Sequence, residues 1–157
     1  MIRAAIMHGA FDPQRELAEL MTGASDPGGV VSFVGLARGE DGQVTALTLK
    51  HHPVLTQRSL DEIATEALTA LGVDAISVVH RAGRVLPNEP IVFAGAAARN
   101  RREAFLATAY LMDMLKTRAV FWKREEGPDG VRWIEPREAD LADAARWGIV
   151  GDKESSR

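Results

Sequence analysis

Four basic residues lie within nine positions where an apolar helical pattern changes to a strand pattern: Lys116, Arg118, Lys123 and Arg124. Lys123 directly follows Trp122 in a β-prone run that we expect to be at least half buried. Its amine must therefore reach solvent, form an ion pair or do chemistry. A lysine held against apolar surface loses the water that solvates its charge, which lowers its pKa. Lys123 is a candidate proton-transfer group or nucleophile.

A structural interpretation competes with a chemical one for the other cations. Basic side chains at a helix C-terminus are stabilised by the helix dipole, so neither Lys116 nor Arg118 alone requires a function. Further cations are expected at element ends, with Arg38 after a strand, Arg101 at a helix start and Arg132 across a hairpin turn. Arginine forks and helix N-terminal N–H groups suit phosphate or carboxylate. The set as a whole indicates an anionic small molecule.

The composition narrows the function classes. The net charge is −3, whereas a general nucleic-acid binder needs a broadly basic surface. The chain has no cysteine, which excludes disulfides, a thiolate nucleophile and cysteine-ligated metals. No apolar run approaches the roughly 20 residues of a membrane span, and the N-terminus lacks a signal-peptide pattern. We therefore expect a cytoplasmic protein with no nucleic-acid and no membrane partner.

Familiar cofactor motifs are absent from the sequence. It has no phosphate-binding P-loop, no dinucleotide-binding glycine fingerprint and no His-Glu-x-x-His zinc helix. His51 and His52 are adjacent on an expected strand and would point to opposite faces, so they rarely bind one ion. His8 and His80 lie in strand-like runs, where a hydrogen-bonded core or edge histidine is the usual explanation. The sequence therefore predicts no metal site and no bound cofactor.

The elements that position the cations follow from periodicity and cap residues. Asn100, with Glu103 three residues later, predicts the start of a helix whose apolar stripe includes Phe105, Met112 and Leu115. The other expected helices cover residues 13–22, a segment from a cap at Thr56 or Ser59 to Leu71, and residues 138–146. The expected strands cover residues 2–8, 30–34, 44–50, 75–80, 91–97, 120–124 and 131–135.

This irregular mixture of strands and helices favours an α+β class. We expect one domain over residues 1–146, with a mixed or antiparallel sheet and flanking helices, and a flexible tail over residues 147–157. The strand over residues 44–50 is expected to pair with the strand over residues 30–34 through a turn at Asp41-Gly42. The helix over residues 13–22 is expected to bury Leu17, Leu20 and Met21.

Several motifs recur along residues 30–137 in a fixed order, and the most specific part runs from Leu115 to Arg124. The motifs are Phe33-Val34-Gly35 with Arg38, His51-x-Pro53, Val79-His80-Arg81-x-Gly83, Met112-Asp113-x-Leu115-Lys116-Thr117-Arg118-Ala119, Phe121-Trp122-Lys123-Arg124-Glu125 and Arg132-Trp133-x-Glu135. In order and spacing they resemble the large, catalytic subunit of molybdopterin synthase, the MoaE-like family.

That resemblance implies an α/β-hammerhead-like fold and a sulfurtransferase of molybdenum cofactor biosynthesis. The family's enzyme converts cyclic pyranopterin monophosphate, also called precursor Z, to molybdopterin by installing two dithiolene sulfurs. Each sulfur arrives as a C-terminal glycine thiocarboxylate on a small ubiquitin-like subunit. The large subunits form a homodimer, and one small subunit at each end inserts its tail into a pocket, which makes a heterotetramer.

The resemblance also implies roles for individual residues. Lys116 resembles the family's catalytic lysine, and Lys123 resembles the second lysine of the pocket. Arg38 and Arg101 resemble the arginines that hold the anionic parts of the substrate, with Arg101 reaching in from the other protomer. Met112 is expected to line the same pocket.

Asn100 is the main departure from the family pattern, which usually has His-Arg where this chain has Asn100-Arg101. We count Asn100 among the substrate-binding residues, because an amide still donates a hydrogen bond although it cannot titrate. We also count Arg132, one of the cations at element ends. Either the histidine is dispensable, which we favour, or the activity is altered. The chain also has Lys50-His51-His52-Pro53 where Glu-His-Tyr-Pro is common, which places an extra cation near the pocket or an interface.

Two other function classes stay open. The chain is alternatively a non-catalytic or altered homologue that docks the ubiquitin-like subunit, or a plain anion or nucleotide binder. The joint presence of Lys116, Lys123, Arg38 and Arg101 argues against a docking module, and the lack of a nucleotide-binding loop weakens the third interpretation.

Overall fold

Eight strands and four helices make up residues 1–148, the part of the chain that the computed structural model describes. The strands are β1 (Ile2–Met7), β2 (Gly29–Leu36), β3 (Ala46–His51), β4 (Ala75–Arg81), β5 (Gly83–Val85), β6 (Pro90–Ala98), β7 (Phe121–Gly127) and β8 (Gly130–Ile134). The helices are α1 (Pro13–Gly23), α2 (Leu55–Leu71), α3 (Arg101–Thr117) and α4 (Glu138–Ala145), and a 3-10 turn covers Glu40–Gly42.

The strands form two four-stranded sheets. The first has the order β1-β4-β6-β2, in which β1 runs parallel to β4 and the other neighbours are antiparallel. The second has the order β5-β3-β7-β8 and is antiparallel throughout. Mixed and antiparallel pairing with helices at the flanks confirms the α+β class predicted from the sequence.

The core lies on both faces of the first sheet. On one face, α2 and α3 contribute Leu60, Ile63 and Leu111, all fully buried. On the other face, Leu20 of α1 packs against Phe93 of β6. The predicted burial of Met21 is wrong, since this neighbouring side chain is exposed. Because helices cover both faces, all of β4 is buried, including its polar residues Ser77, His80 and Arg81.

Helix α3 forms where the apolar periodicity predicted a helix, but the side of the helix that faces the core differs from the prediction. Phe105, placed in the core stripe by the sequence, is 62% exposed, and the fully buried positions are Ala104, Ala107 and Leu111. The sheet beneath α3 presents small residues from β6, so small side chains of α3 pack closely there and the larger Phe105 turns outward. The capping box predicted for Asn100 is also absent, because its side chain makes no cap hydrogen bond.

Strand β3 pairs differently from the sequence prediction. Its partners are β5 and β7 in the second sheet, and it does not pair with β2, which instead pairs with β6. Ala37 exchanges backbone hydrogen bonds with the loop before β6, and Glu40 and Asp41 then adopt positive φ in the 3-10 turn. This turn directs the chain away from the first sheet, so Asp41-Gly42 does not close a hairpin. The hairpin predicted for the last two strands is confirmed by β7 and β8.

A small hydrogen-bond network connects the start of α2 to the start of β7. The Thr56 hydroxyl is fully buried, donates to the Val120 carbonyl at 2.6 Å and accepts from the His52 N–H at 2.9 Å. The Val120 N–H donates to the Ser59 hydroxyl at 3.3 Å. Neither hydroxyl caps the helix as predicted. Nδ1 of His52 instead accepts from the N–H groups of Val54, just before the helix, and of Leu55, its first residue, at 3.2 and 3.1 Å.

The C-terminal end of the described chain packs on α3. The indole N–H of Trp147, the first residue of the predicted tail, donates to Asp113 at 2.6 Å, and its ring meets Tyr110 edge-on. The rest of that predicted tail, residues 149–157, lies outside the described residues. Within residues 1–148, no helix combines the length and apolar character that a membrane crossing requires.

We expect Thr56→Val to lower the free energy of unfolding by about 1–2 kcal/mol. Valine has a similar shape but leaves the Val120 carbonyl and the His52 N–H without their partner. Urea denaturation at pH 7 measures the change. Thr56→Ser is the matched control, because it keeps the hydroxyl and removes only a methyl group, at a cost of about 0.8 kcal/mol. A larger loss in the serine variant than in the valine variant would contradict the role given to the hydroxyl.

Candidate active site

A cavity of about 390 Å³ lies where the end of the first sheet, the C-terminal turn of α3 and strand β7 meet. We call it the lysine cavity, after the two lysines in its wall. One side is apolar and comes from the edge strand β2, and the opposite side carries the cations. The lining residues are Phe33, Val34, Gly35, Leu36, Arg38, His80, Ile91, Val92, Met112, Leu115, Lys116 and Lys123.

Lys116 and Lys123 reach the lysine cavity from different elements. Lys116 lies in the last turn of α3, where a positive charge also complements the helix dipole. Lys123 lies on β7 two residues after Phe121, and period-2 alternation places both side chains on the same face of the strand. The structure therefore brings together the two lysines that the sequence singled out.

Lys123 is the more perturbed of the two amines. Its pKa is lowered to about 8, mainly by burial and also by the positive charge of Lys116 and a hydrogen bond with that amine, while Asp140 acts in the opposite direction. The charged form is disfavoured because little water solvates it and a second cation lies nearby. Lys123 consequently gains and loses a proton close to neutral pH, which suits a proton-transfer group.

Arg118 has a structural role rather than a place in the cavity wall. Its guanidinium forms two hydrogen bonds with Glu66 of α2, at 2.5 and 2.9 Å, and Tyr110 donates to the same carboxylate at 2.7 Å. The hydrogen bond from Arg118 is the largest cause that lowers the pKa of Glu66. These contacts hold the end of α3 against α2, and so they fix the turn that leads from Lys116 to β7.

Arg38 and Met112 also line the lysine cavity, as the resemblance implied. The Arg38 guanidinium is 78% exposed and forms an ion pair with Glu40 at 3.1 Å. An exposed ion pair of this kind contributes little to stability, so the arginine is available to an incoming anion. Met112 adds a flexible apolar side chain to the wall.

Asp140 is the acidic neighbour of the two lysines. It lies in the first turn of α4 and lines an adjoining groove together with Lys116. Its carboxylate accepts hydrogen bonds from Arg137, which is the main reason that its pKa is lowered, and Lys116 adds to that shift. A deprotonated Asp140 partly balances the positive charge of the site.

Three of the predicted site residues lie elsewhere in the protomer. Asn100 and Arg101 stand at the opposite end of the 17-residue helix α3 from Lys116, roughly 22 Å away at 1.5 Å per residue. Arg132 lies on β8, where its side chain pairs with Glu125 at 2.9 Å and lines a different groove. Within one copy of the chain, none of these three side chains lines the lysine cavity.

His80 is the cavity residue that the sequence reasoning did not select. It is buried, as predicted for a core histidine, with Nδ1 2.9 Å from the Arg81 carbonyl oxygen and its ring stacked on Phe121 at 4.0 Å between centroids. Its pKa is lowered to about 4, mainly by burial and also by the charges of Lys123 and Lys116, while the hydrogen bond with the Arg81 carbonyl acts in the opposite direction. The only sequence signal was the pattern His80-Arg81-x-Gly83, which gave no information about the facing lysines.

The comparisons with known proteins decide the family. A protein-family model described as MoaE protein matches residues 6–118. The molybdopterin synthase catalytic subunit of Caulobacter vibrioides is 47% identical over 137 residues, which are 87% of this chain and 91% of that protein. The subunit of the same description from Escherichia coli K12 is 44% identical over 124 residues, 78% of this chain and 83% of that protein.

The chain belongs to the MoaE family. Solved structures agree, since the MoaE protein from Burkholderia ambifaria superposes with a TM-score of 0.81 at 39% identity and covers 94% of this chain and 99% of its own. A complex of subunits 1 and 2 of molybdopterin-converting factor from Helicobacter pylori reaches a TM-score of 0.66 at 22% identity, covering 87% of this chain and 90% of its own. At that identity the likeness shows the fold alone.

Membership of the MoaE family confirms the resemblance that the sequence motifs indicated. The matched segment contains Arg38, Asn100, Arg101, Met112 and Lys116. Five residues beyond it, Lys123 enters the same cavity as Lys116. The structure thus places Lys123, which lies outside the matched segment, in the same cavity wall as Lys116, which lies within it.

We expect His80 to make the stability of the domain depend on pH below 6.5. Its pKa is about 4 in the folded protein and 6.5 in the unfolded chain, so the unfolded chain binds more protons between these values. The contribution is complete above pH 6.5 and is lost as the pH falls towards 4, with a limit of roughly 3 kcal/mol.

Urea unfolding of the wild type and of His80→Phe at pH 7 and pH 4.5 measures this term. Carboxylates titrate in the same range in both proteins, so the difference between the two pH slopes isolates the histidine. The wild type should lose more stability than the variant on acidification. Parallel losses would show that His80 carries a proton in the folded protein.

Proposed function

We propose that the lysine cavity is the place where this MoaE family member transfers sulfur to a pterin substrate. The observation that carries the proposal is the convergence of Lys116 and Lys123 on one cavity, with the pKa of Lys123 lowered to about 8. The reaction is the conversion of cyclic pyranopterin monophosphate to molybdopterin in molybdenum cofactor biosynthesis, and the chain is a sulfurtransferase. The compartment we propose is the cytoplasm, as the cysteine-free sequence predicts.

The cations of the cavity wall account for the encounter of two anions. The pterin carries a cyclic phosphate, and the sulfur donor is a thiocarboxylate, so the two reactants repel each other in solution. Arg38 and Lys116 place fixed positive charge where they meet, which lowers that repulsion. The partly apolar wall from Phe33 to Leu36 is exposed in the free chain, and a substrate that covers it displaces water and strengthens these interactions.

The two lysines suit different tasks in the reaction. Lys116 is exposed at the end of α3, where its ammonium meets an incoming thiocarboxylate. Lys123 is partly buried and has a pKa of about 8, so near neutral pH it exists in both protonation states. In its ammonium form it donates a proton to the oxygen that is released when a phosphate ester bond of the cyclic phosphate breaks, and the neutral amine that remains regains a proton from water.

The sulfur donor is a small partner subunit. A MoaE-like fold is found in a complex of subunits 1 and 2 of molybdopterin-converting factor. For this chain we propose a ubiquitin-like small subunit whose C-terminal glycine thiocarboxylate enters the lysine cavity. An extended tail fits such a site because its terminal glycine has no side chain and the reactive anion is at its end.

A second copy of the chain supplies the substrate-binding residues that lie far from the cavity. Asn100 and Arg101 stand roughly 22 Å from Lys116 within one protomer, which is beyond the reach of either side chain. We propose a homodimer in which Arg101 of the other copy approaches the phosphate, within a heterotetramer containing two small subunits. The exposed side chain of Arg101 is available for such a contact.

One observation favours a second candidate function. The family histidine is replaced by Asn100, which cannot exchange a proton. A chain that bound the small subunit without catalysis would tolerate this replacement. The presence of both lysines in one cavity favours the enzyme, because docking alone does not need a buried amine.

We expect Lys116→Ala to reduce sulfur transfer by about 100-fold or more, the usual cost of losing one fixed group that stabilises charge in the transition state. The fold should persist, because the side chain is exposed at a helix end. The measurement is single-turnover conversion of cyclic pyranopterin monophosphate by the chain mixed with a thiocarboxylated small subunit, with dithiolene product as the readout. Arg58→Ala is the control, since it also removes a cation but lies on α2 in an exposed pair with Glu62. Normal turnover by Lys116→Ala would refute the assignment.

We expect Asn100→His to change the single-turnover rate by less than about threefold, equivalent to under 1 kcal/mol in the barrier. The physical reason is that an amide at this position still donates a hydrogen bond to an anion. The same assay measures the effect, with Asn100→Ala as the variant that removes hydrogen bonding altogether. An inactive wild type that becomes active in Asn100→His would instead favour the docking function.

A further inference from the structure

Arg81 is a buried cation that has no part in the reaction proposed above. It is the last residue of β4 and only 8% exposed. It follows His80 directly on the strand, so its side chain points to the opposite face of the first sheet and does not line the lysine cavity. A buried guanidinium is costly unless its charge and its N–H groups have partners. The partners of Arg81 lie in the connection between β4 and β6.

Glu89 is the counter-charge of Arg81. Nη1 of Arg81 lies 3.1 Å from Oε2 of Glu89, and Nη2 donates to the Arg84 carbonyl at 3.0 Å. Within residues 1–148, neither Nε nor Nη1 of this guanidinium makes an aligned hydrogen bond, so Glu89 balances the charge through an ion contact. Removing one partner of such a pair leaves a buried charge uncompensated. The two side chains therefore hold each other in place.

Glu89 also closes the tight turn over residues 86–89, which we call the β5–β6 turn. Its Oε2 accepts from the Leu86 N–H at 2.8 Å, and its own N–H donates to the Leu86 carbonyl at 3.1 Å. Asn88 inside the turn has a positive φ of 70°, a conformation that few residues other than glycine and asparagine adopt readily. The contacts of Glu89 keep the chain in this conformation.

The β5–β6 turn contacts both neighbours of Arg38 along the chain. On one side, Ala37 forms two backbone hydrogen bonds with the last two residues of the turn, at 2.8 and 3.0 Å. On the other side, Gly39 packs so closely on Pro87 that a Cβ atom at Gly39 would lie 3.3 Å from the Cβ atom of the proline. One turn therefore holds the backbone before and after Arg38.

We propose that Arg81 and Glu89 are positioning residues for Arg38. Their ion pair fixes the β5–β6 turn, and the turn sets the point from which the Arg38 guanidinium reaches an anion in the lysine cavity. Because the Arg38 side chain is 78% exposed, its backbone is the part that the fold can place. The role in binding substrate rests on the sulfur transfer proposed above, whereas the connection from Arg81 to Arg38 does not.

Amide hydrogen exchange tests the connection without any substrate. Glu89→Gln keeps an oxygen for the Leu86 N–H but removes the counter-charge of Arg81. In NMR of the whole chain, exchange at the Ala37 and Asn88 amides should become about tenfold faster or more, because the turn opens more often. Glu62→Gln is the matched control, since it makes the same change in an exposed pair with Arg58 and should leave both rates unchanged.

A binding cycle tests whether Glu89 acts through Arg38. Calorimetry measures the Kd of cyclic pyranopterin monophosphate in the wild type, Glu89→Gln, Arg38→Ala and the double variant. Glu89→Gln should weaken binding by about fivefold or more, because a charge-assisted hydrogen bond from Arg38 is misplaced. In the Arg38→Ala background the same change should have an effect within about twofold. Equal losses in both backgrounds would assign Glu89 a merely structural role and overturn the proposal.

A second variant covers the case in which Glu89→Gln fails to fold. Arg81→Met combined with Glu89→Gln removes both charges, so no buried charge is left without a partner. This variant should show the same faster exchange at Ala37 and Asn88 and the same weaker binding. Unchanged exchange at these two amides in a folded variant would overturn the proposal.

Single-turnover assays separate this proposal from the proposed function. In Glu89→Gln the substrate concentration at half-maximal rate should rise while the rate at saturation stays close to that of the wild type, as expected for a residue that acts on binding. A wild type that binds the pterin but transfers no sulfur would contradict the proposed function, and the binding cycle would still support the positioning role. A wild type without measurable affinity for the pterin would contradict both.

Discussion

The main constraint on this structure is that it holds two mutually repelling amines, those of Lys116 and Lys123, in one partly buried cavity. The surrounding residues shield the amine of Lys123 from water, and the positive charge of Lys116 repels it. Both effects oppose protonation of Lys123. Such an arrangement costs free energy in the folded protein, and packing elsewhere has to offset it. In the function we propose, the same excess of positive charge attracts the anionic reactants, so the feature that destabilises the free protein is the one that recognises its substrates.

The rest of the fold holds the two lysines in that arrangement. Helix α3 is buried against the first sheet through small residues, and Glu66 ties the end of α3 to α2 through Arg118 and Tyr110. Further along the chain, just before β7, the Val120 carbonyl is held by a hydrogen bond from the buried hydroxyl of Thr56. Because the segment between α3 and β7 is anchored at both ends, Lys116 and Lys123 have little freedom to move apart.

Particular residues show how far sequence reasoning reached. Local signals were sufficient for the start of α1, predicted at residue 13 and capped by Asp12, and for the end of α2, predicted at Leu71 and followed by Gly72 with a positive φ of 62°. They failed for Phe105, because the period of a helix does not say which face the sheet will cover. They failed again for β3, since neighbouring strands along the chain usually pair and only the turn after Ala37 separates β2 from β3. The sequence predicted His80 as a core or edge histidine but gave no indication that its ring lines the lysine cavity.

The sequence by itself determined the family, the α+β class and the identity of the two lysines, because these depend on local patterns and on spacing along the chain. Only the tertiary structure decided that His80 and Lys123 line the same cavity, that Arg118 binds Glu66, and that Asn100 lies a helix length away from Lys116. The physical reason is that charge, burial and pKa depend on neighbours in space. Those neighbours come from β2, β4, β6, α3 and β7, which are far apart in sequence and meet only when both sheets have formed.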